Sequence, residues 1–185
     1  LHFVSEIFQR AAEKVLAVRA RWAEDNPDVF RRLVRAHGRA AAFVEDIANH
    51  EEVARILSAP ERIAVAPEVI RRTLDGRLKV SPDGGYRASD RYLMVGRNSA
   101  ARPDPVQAAW LYAQMVRWGQ ALLSSENLAE AVATFRPDLY DEILGDADAV
   151  LPNSEPADRV GAFTGPAFDP KDISAHLEVW KIRRR

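Results

Sequence analysis

His2, His37, His50 and His176 are the residues of this chain best suited to metal ligation or proton transfer, and their spacing serves neither. None stands a helical turn from a second histidine with an acid between, as a metal-binding pair requires. His37 falls within a helical run of apolar residues, which makes it a core or partner-facing imidazole. Arg31, Arg35 and Arg39 recur at every fourth position, so one helix face is basic. That face reads as solvated, with anion docking as its functional alternative. The acid pairs Glu45–Asp46 and Glu51–Glu52 read as solvated charge on polar faces. No Walker loop, dinucleotide fingerprint or serine-nucleophile elbow is present, and Asp83-Gly84-Gly85-Tyr86 is ordinary turn chemistry. With no cysteine, the chain has no thiolate site and no disulfide. On the residues alone, no enzyme, cofactor or metal site emerges.

These groups are carried by a chain of 185 residues, 47% hydrophobic, with a formal charge of −1. That size and composition suit one compact domain. The balanced charge argues against a nucleic-acid partner or an anionic membrane surface, and no apolar run nears the roughly 20 residues of a membrane helix.

Along the chain, Lys14–Arg19 is a short strand by its β-branched alternation. Asn26-Pro27-Asp28 starts a helix with an apolar stripe through Phe30, Leu33, Val34, His37, Ala40, Ala41, Val44 and Ile47. Asn49 caps a second helix that Pro60 closes, and Pro67–Asp75 is a third that Gly76 ends. Pro82-Asp83-Gly84-Gly85 is a turn between strand-like runs at Leu78–Val80 and Tyr92–Val95, in an extended loop or irregular hairpin. Asp104-Pro105 opens the helix "WLYAQMVRWGQ", ended by Gly119. Ser124 or Ser125 begins the next, Pro137 another through Leu144, and Asp169-Pro170-Lys171-Asp172 the last, with Trp180 in phase and a cationic end "KIRRR". Residues 146–168 are expected to wrap the surface.

Two features do not suit a self-contained domain. "LHFVSEIFQR" reads like the inside of a folded element, so the chain is expected to begin in mid-domain. The strands are also too few to build their own sheet, which points to a sheet completed elsewhere. Trp110 and Trp118 lie on different faces of one helix, as in a helix packed between two layers.

The tryptophan helix, with "SEIFQRAAEKVLAVRARWAEDNPDVFRRLVRAHGRAAAFVED", "YLMVGRNSAARPDPVQAAWLYAQMVRWGQ", "TFRPDLYDEIL" and "AFDPKDISAHL", resembles the C-terminal part of the substrate-binding proteins of nitrate and bicarbonate ABC importers and of related soluble nitrate sensors. The resemblance covers nearly the whole chain. It implies an α/β class: the C-terminal portion of a type II periplasmic-binding-protein fold, mostly helical here with a few short strands. Residues 1–19 would end one lobe and cross between lobes. Residues 20–145 would supply helices of the lobes, with an irregular loop at 77–104, and 146–185 a wrapping tail and last helix. The tryptophans would fill separate interfaces.

The function implied is binding of a small anion of the nitrate type for ABC import, by closure of two lobes around it, with no catalysis and no cofactor. The ligand-binding residues implied are Lys14 as the fixed cation, with Ser5 and Glu6 in the preceding element, and no metal site. Two departures bear on ligand identity: Arg102-Pro103-Asp104-Pro105 replaces an aromatic–proline pair, and "QRAAEK" replaces a proline-containing turn before Lys14. The partners implied are the anion and the membrane subunits of the importer, with no nucleic acid, and self-association of the chain by itself. The location implied is periplasmic, or extracytoplasmic at the membrane. The alternatives are a cytoplasmic nitrate or nitrite sensor of the same fold that regulates a partner protein, and a helical protein-interaction domain.

Overall fold

A computed structural model describes residues 2–7, 13–96, 100–145 and 168–179. After a short turn at Val4–Glu6 the helices are α1 (Ala20–Asp25), α2 (Pro27–Glu45), α3 (His50–Leu57) and α4 (Pro67–Leu74). Then come strands β1 (Arg77–Lys79) and β2 (Tyr86–Ala88), followed by α5 (Pro105–Arg117), α6 (Ser125–Ala133), α7 (Pro137–Leu144) and α8 (Ile173–Val179). The expected helices form, and proline stands at the first turn of α2, α4, α5 and α7, where its missing N–H costs nothing. The wrapping segment 146–167, Trp180 and the cationic end lie outside the described residues.

Helix α2 packs on α7. Val34, Ile143 and Leu144 form the buried centre there, with Phe30 and Tyr140 against it. Gly38 sets their approach, because a Cβ on it would lie 3.0 Å from Leu144 Cδ1. An ion pair between Arg31 and Glu142, at 2.6 Å, closes the rim. The buried strip on α2 is narrower than the apolar pattern promised. Leu33 and His37 are exposed, so His37 is not a core histidine. Ile47 falls beyond the helix, in a separate 3-10 turn capped by Asp46.

A second cluster joins α5, α6 and α8 around Tyr112, Ala113 and Ile173, with Leu128, Phe168 and Leu177 packed against it. Ala108, Ala109 and Ala113 keep the buried side of α5 small and let its neighbours approach. Gly119 at φ +72° ends α5, with Gly119 N–H donating to Val116 and Gln120 N–H to Met115 in a paired C-terminal cap. Tyr112 Oη then holds the connection to α6, donating to the Leu122 carbonyl at 2.6 Å and accepting from Ser124 N–H at 2.9 Å. The tryptophans depart from expectation. Trp110 is half-buried, but Trp118 is 66% exposed, because the alanine face of α5 takes the packing instead.

Helices α3 and α4 form a third unit, pinned by buried His50. Its Nε2 donates to the Val44 carbonyl at 3.1 Å, and its Nδ1 lies 2.9 Å from Asp75 Oδ1. Asp75 also accepts from Arg71 at 3.2 Å. Strands β1 and β2 pair antiparallel, with Leu78 opposite Arg87. The second strand is therefore Tyr86–Ala88 and not Tyr92–Val95. The Ser81–Gly85 turn is too short to reach the later run, and the N–H groups of Val95 and Gly96 are taken by the Glu45 carboxylate. The strand expected at Lys14–Arg19 does not form: the run has no regular secondary structure and joins no sheet among the described residues. Helix α1 follows it without a sequence signal of its own.

Gly76 and Gly119 both adopt positive φ, yet only Gly76 is crowded: a Cβ there would stand 2.0 Å from the Ser89 carbonyl oxygen, whereas nothing lies within 4 Å at Gly119. Gly119→Ala should therefore cost only the left-handed backbone penalty, about 1–2 kcal/mol, and Gly76→Ala clearly more because the hairpin base must also move. Urea unfolding of the two variants checks the order; equal losses would show that the base yields freely.

Candidate functional site

Ser5 and Glu6 lie side by side in the first turn, while Lys14 stands after an interval outside the described residues. Ser5 is half-buried. Glu6 is already engaged: its carboxylate accepts from Phe3 N–H at 3.0 Å, lies 3.1 Å from His2 Nδ1 and pairs with Arg87. Desolvation opposes its ionisation, but the hydrogen bonds from Phe3 and His2 and the charge of Arg87 outweigh it and hold the acid below its usual range. Phe3 is buried beneath, edge-on to Tyr92 with ring centres 5.6 Å apart and with Arg87 over its ring. Glu6 thus fastens this turn to the hairpin and the loop after it.

Lys14 is exposed, and among the described residues its amine makes no ion pair. It stands near the start of segment 13–19, which has no regular secondary structure. None of the backbone N–H or C=O groups of residues 13–18 hydrogen-bonds another described residue, while Val15, Leu16 and Val18 stay exposed, Val15 at 63%. Exposed apolar side chains beside unmatched backbone groups leave this segment open to further pairing. The structure does not bring Lys14 into contact with Ser5 or Glu6 in the described region. A site using all three would need groups supplied from outside it.

Of the basic stripe, Arg31 is spent on Glu142, and Arg35 and Arg39 face solvent. No group of three or more acids and histidines that could hold a metal occurs among the described residues. In that region too, no helix is long and apolar enough to cross a membrane. Sequence spacing missed three groups that the fold makes notable. His50 is a buried pin whose acid partner lies 25 positions away in sequence. Arg117 and His176, on different helices, carry buried nitrogens with no hydrogen-bond partner.

Residues 2–58 match the model of the NMT1-like family. The nitrate/nitrite binding protein NrtA of Synechococcus elongatus is 27% identical over 183 residues, covering 96% of this chain and 41% of that protein. The bicarbonate-binding protein CmpA of the same organism is 26% identical over 185 residues, with 93% and 41% covered. Its nitrate import ATP-binding protein NrtC is 25% identical over 180 residues, with 96% and 26% covered. The crystal structure of the periplasmic nitrate-binding protein NrtA from Synechocystis superimposes with a TM-score of 0.78 at 25% identity, covering 89% of this chain and 44% of that one. The resemblance seen in the sequence is borne out. The chain is a relative of the nitrate- and bicarbonate-binding proteins, and its fold is part of a type II periplasmic binding fold. It spans about two fifths of the length of the binding proteins it matches.

An exposed segment with unmatched backbone groups should make the chain pair with itself. Leu16→Lys should lower the mass-averaged size of the 185-residue chain in sedimentation experiments by putting a charge on the unpaired segment. A wild-type chain that sediments as a monomer would show that water alone satisfies this backbone.

Proposed function

We propose that this chain is the C-terminal part of the anion-binding component of an ABC import system, acting outside the cytoplasm and without catalysis. Its ligand is a small planar anion of the nitrate type, held by closure of two lobes. Lys14 is the main positive charge that this part brings to the ligand. Ser5 offers a hydroxyl, and Glu6 fastens the turn that carries Ser5. The observation that carries the reading is the fold shared with a periplasmic nitrate-binding protein over 89% of the chain. The exposed segment 13–19 supports it, since residues 13–18 leave their backbone groups unmatched by any described residue and the Lys14 amine has no acid among the described residues. A weakly basic anion suits such a site, because one fixed cation and a few directed donors bind it without any general base.

A second reading is a cytoplasmic nitrate or nitrite sensor of the same fold that regulates a partner; the match to a nitrate import ATP-binding protein over 96% of this chain is compatible with either reading. Deleting the segment from its complete protein separates the two. Loss of nitrate uptake supports the binding component, and continued uptake that no longer adjusts to external nitrate supports the sensor.

In the complete two-lobed protein, Lys14→Ala should weaken nitrate binding about tenfold or more, since a charge-assisted contact contributes about 1.5–3 kcal/mol. Lys14→Arg should recover part of that loss. Calorimetry showing unchanged affinity in Lys14→Ala would remove this lysine from the site. Running nitrite, bicarbonate and cyanate through the same titration assigns the ligand.

A further inference from the structure

Arg117, the last residue of α5, is held from one side only. Its Nη1 donates to Gln114 Oε1 at 2.7 Å, and Gln114 Nε2 donates in turn to the Trp110 carbonyl at 3.4 Å. Among the described residues, Arg117 Nε and Nη2 are buried without any hydrogen-bond partner, and so is His176 Nε2 on α8, the helix packed on α5. Burial first, and the charge of Arg117 second, push the His176 imidazole below its usual range.

Three other arginines show what that guanidinium edge does in this protein. Arg55 grips Glu52 through Nε and Nη2 at 2.7 and 2.6 Å. Arg102 grips Asp141 at 2.8 and 2.7 Å, and Arg136 grips Asp138 at 2.9 and 2.6 Å, by the same two nitrogens. In each case the hydrogen bond to the carboxylate raises the arginine's pKa. For Arg117 only burial acts, and it lowers the pKa. Nε and Nη2 lie on one edge of a rigid plane and match two oxygens of one planar anion. A buried charged donor pair without an acceptor marks the place of an ion or water, and the histidine adds a third donor from the facing helix when its proton is on Nε2.

We propose that Arg117 and His176 form a second anion site, distinct from the one assigned to Lys14, which takes a small inorganic oxyanion of the class of nitrate and bicarbonate. Two oxygens of the anion meet Arg117 Nε and Nη2, and an oxygen meets His176 Nε2–H. Gln114 positions the guanidinium. The anion bridges α5 to α8 and so ties the last helix to the tryptophan helix.

The test follows the imidazole signals of all four histidines by nitrogen–proton NMR of the 185-residue chain. Sodium nitrate is titrated against sodium chloride at constant ionic strength, since chloride cannot span the guanidinium edge. The His176 signals should move to saturation while those of His2, His37 and His50 stay in place. Lys14→Ala should leave this response intact, and Arg117→Gln should weaken it about tenfold or more. Arg117→Lys, which keeps the charge but loses the planar edge, should weaken it similarly and serves if the glutamine variant does not fold. A linear drift, no response, or equal saturation in both Arg117 variants overturns the assignment and leaves a buried water as the occupant. Loss of the response in Lys14→Ala overturns it by tracing the signal to the other site. Saturation by sodium acetate without saturation by nitrate also overturns it, in favour of a carboxylate side chain.

Discussion

Buried or extended polar groups must find partners, and most of this structure follows from where they do and do not find them. The backbone N–H and C=O groups of residues 13–18 are unmatched by any described residue, while the valines and leucine of that run face outward. Helices satisfy their own backbone, so the rest of the chain folds locally with few such demands. A strand cannot. Residues 13–18 form neither helix nor strand among the described residues, so their polar groups stay open to further partners.

Elsewhere the chain meets the same requirement with side chains. Glu6 takes the Phe3 amide, Glu45 those of Val95 and Gly96, Asp104 that of Val106 and Ser124 that of Asn127. The bonds to Glu6, Asp104 and Ser124 each start an element at a defined residue, and those to Glu45 tie a loop to α2. The packed clusters between these points are small: one joins α2 to α7 and another joins α5 to α6 and α8. Much apolar surface stays outside them, including Trp118 and Leu122, the latter 82% exposed. Clusters of this size suit a body that gains stability from further layers.

The arginines extend the pattern to charge. Arg55, Arg102 and Arg136 each meet a carboxylate with two nitrogens, at the surface or near it. The Arg102–Asp141 pair links the approach to α5 with α7, and Arg31–Glu142 links α2 with α7, so adjacent acids on α7 reach two different elements. Such exposed pairs contribute little stability and mainly fix register. Arg117 differs in having its edge buried, where an unmatched donor costs far more than at the surface.

Punctuation and family were legible in the sequence. Asp104-Pro105, Pro67, Pro137 and the glycines at 76 and 119 act over a few residues, so their effect on helix ends does not depend on the rest of the fold. The tryptophan helix and its flanks carried enough residue identity to reveal the relationship. What packs on what was decided only in three dimensions. The apolar stripe of α2 could not show that His37 would be exposed, since that depends on the width of α7. Nor could α5 show that its alanines would be buried and Trp118 would not. Tyr86–Ala88 displaced Tyr92–Val95 as a strand because Glu45, some 50 positions earlier, captured the later amides. His50 with Asp75, and Arg117 with His176, are pairs made by helix packing, and no spacing along the chain encodes them. Local capping is written in neighbouring residues, whereas a contact between distant ones exists only once the chain has closed the loop between them.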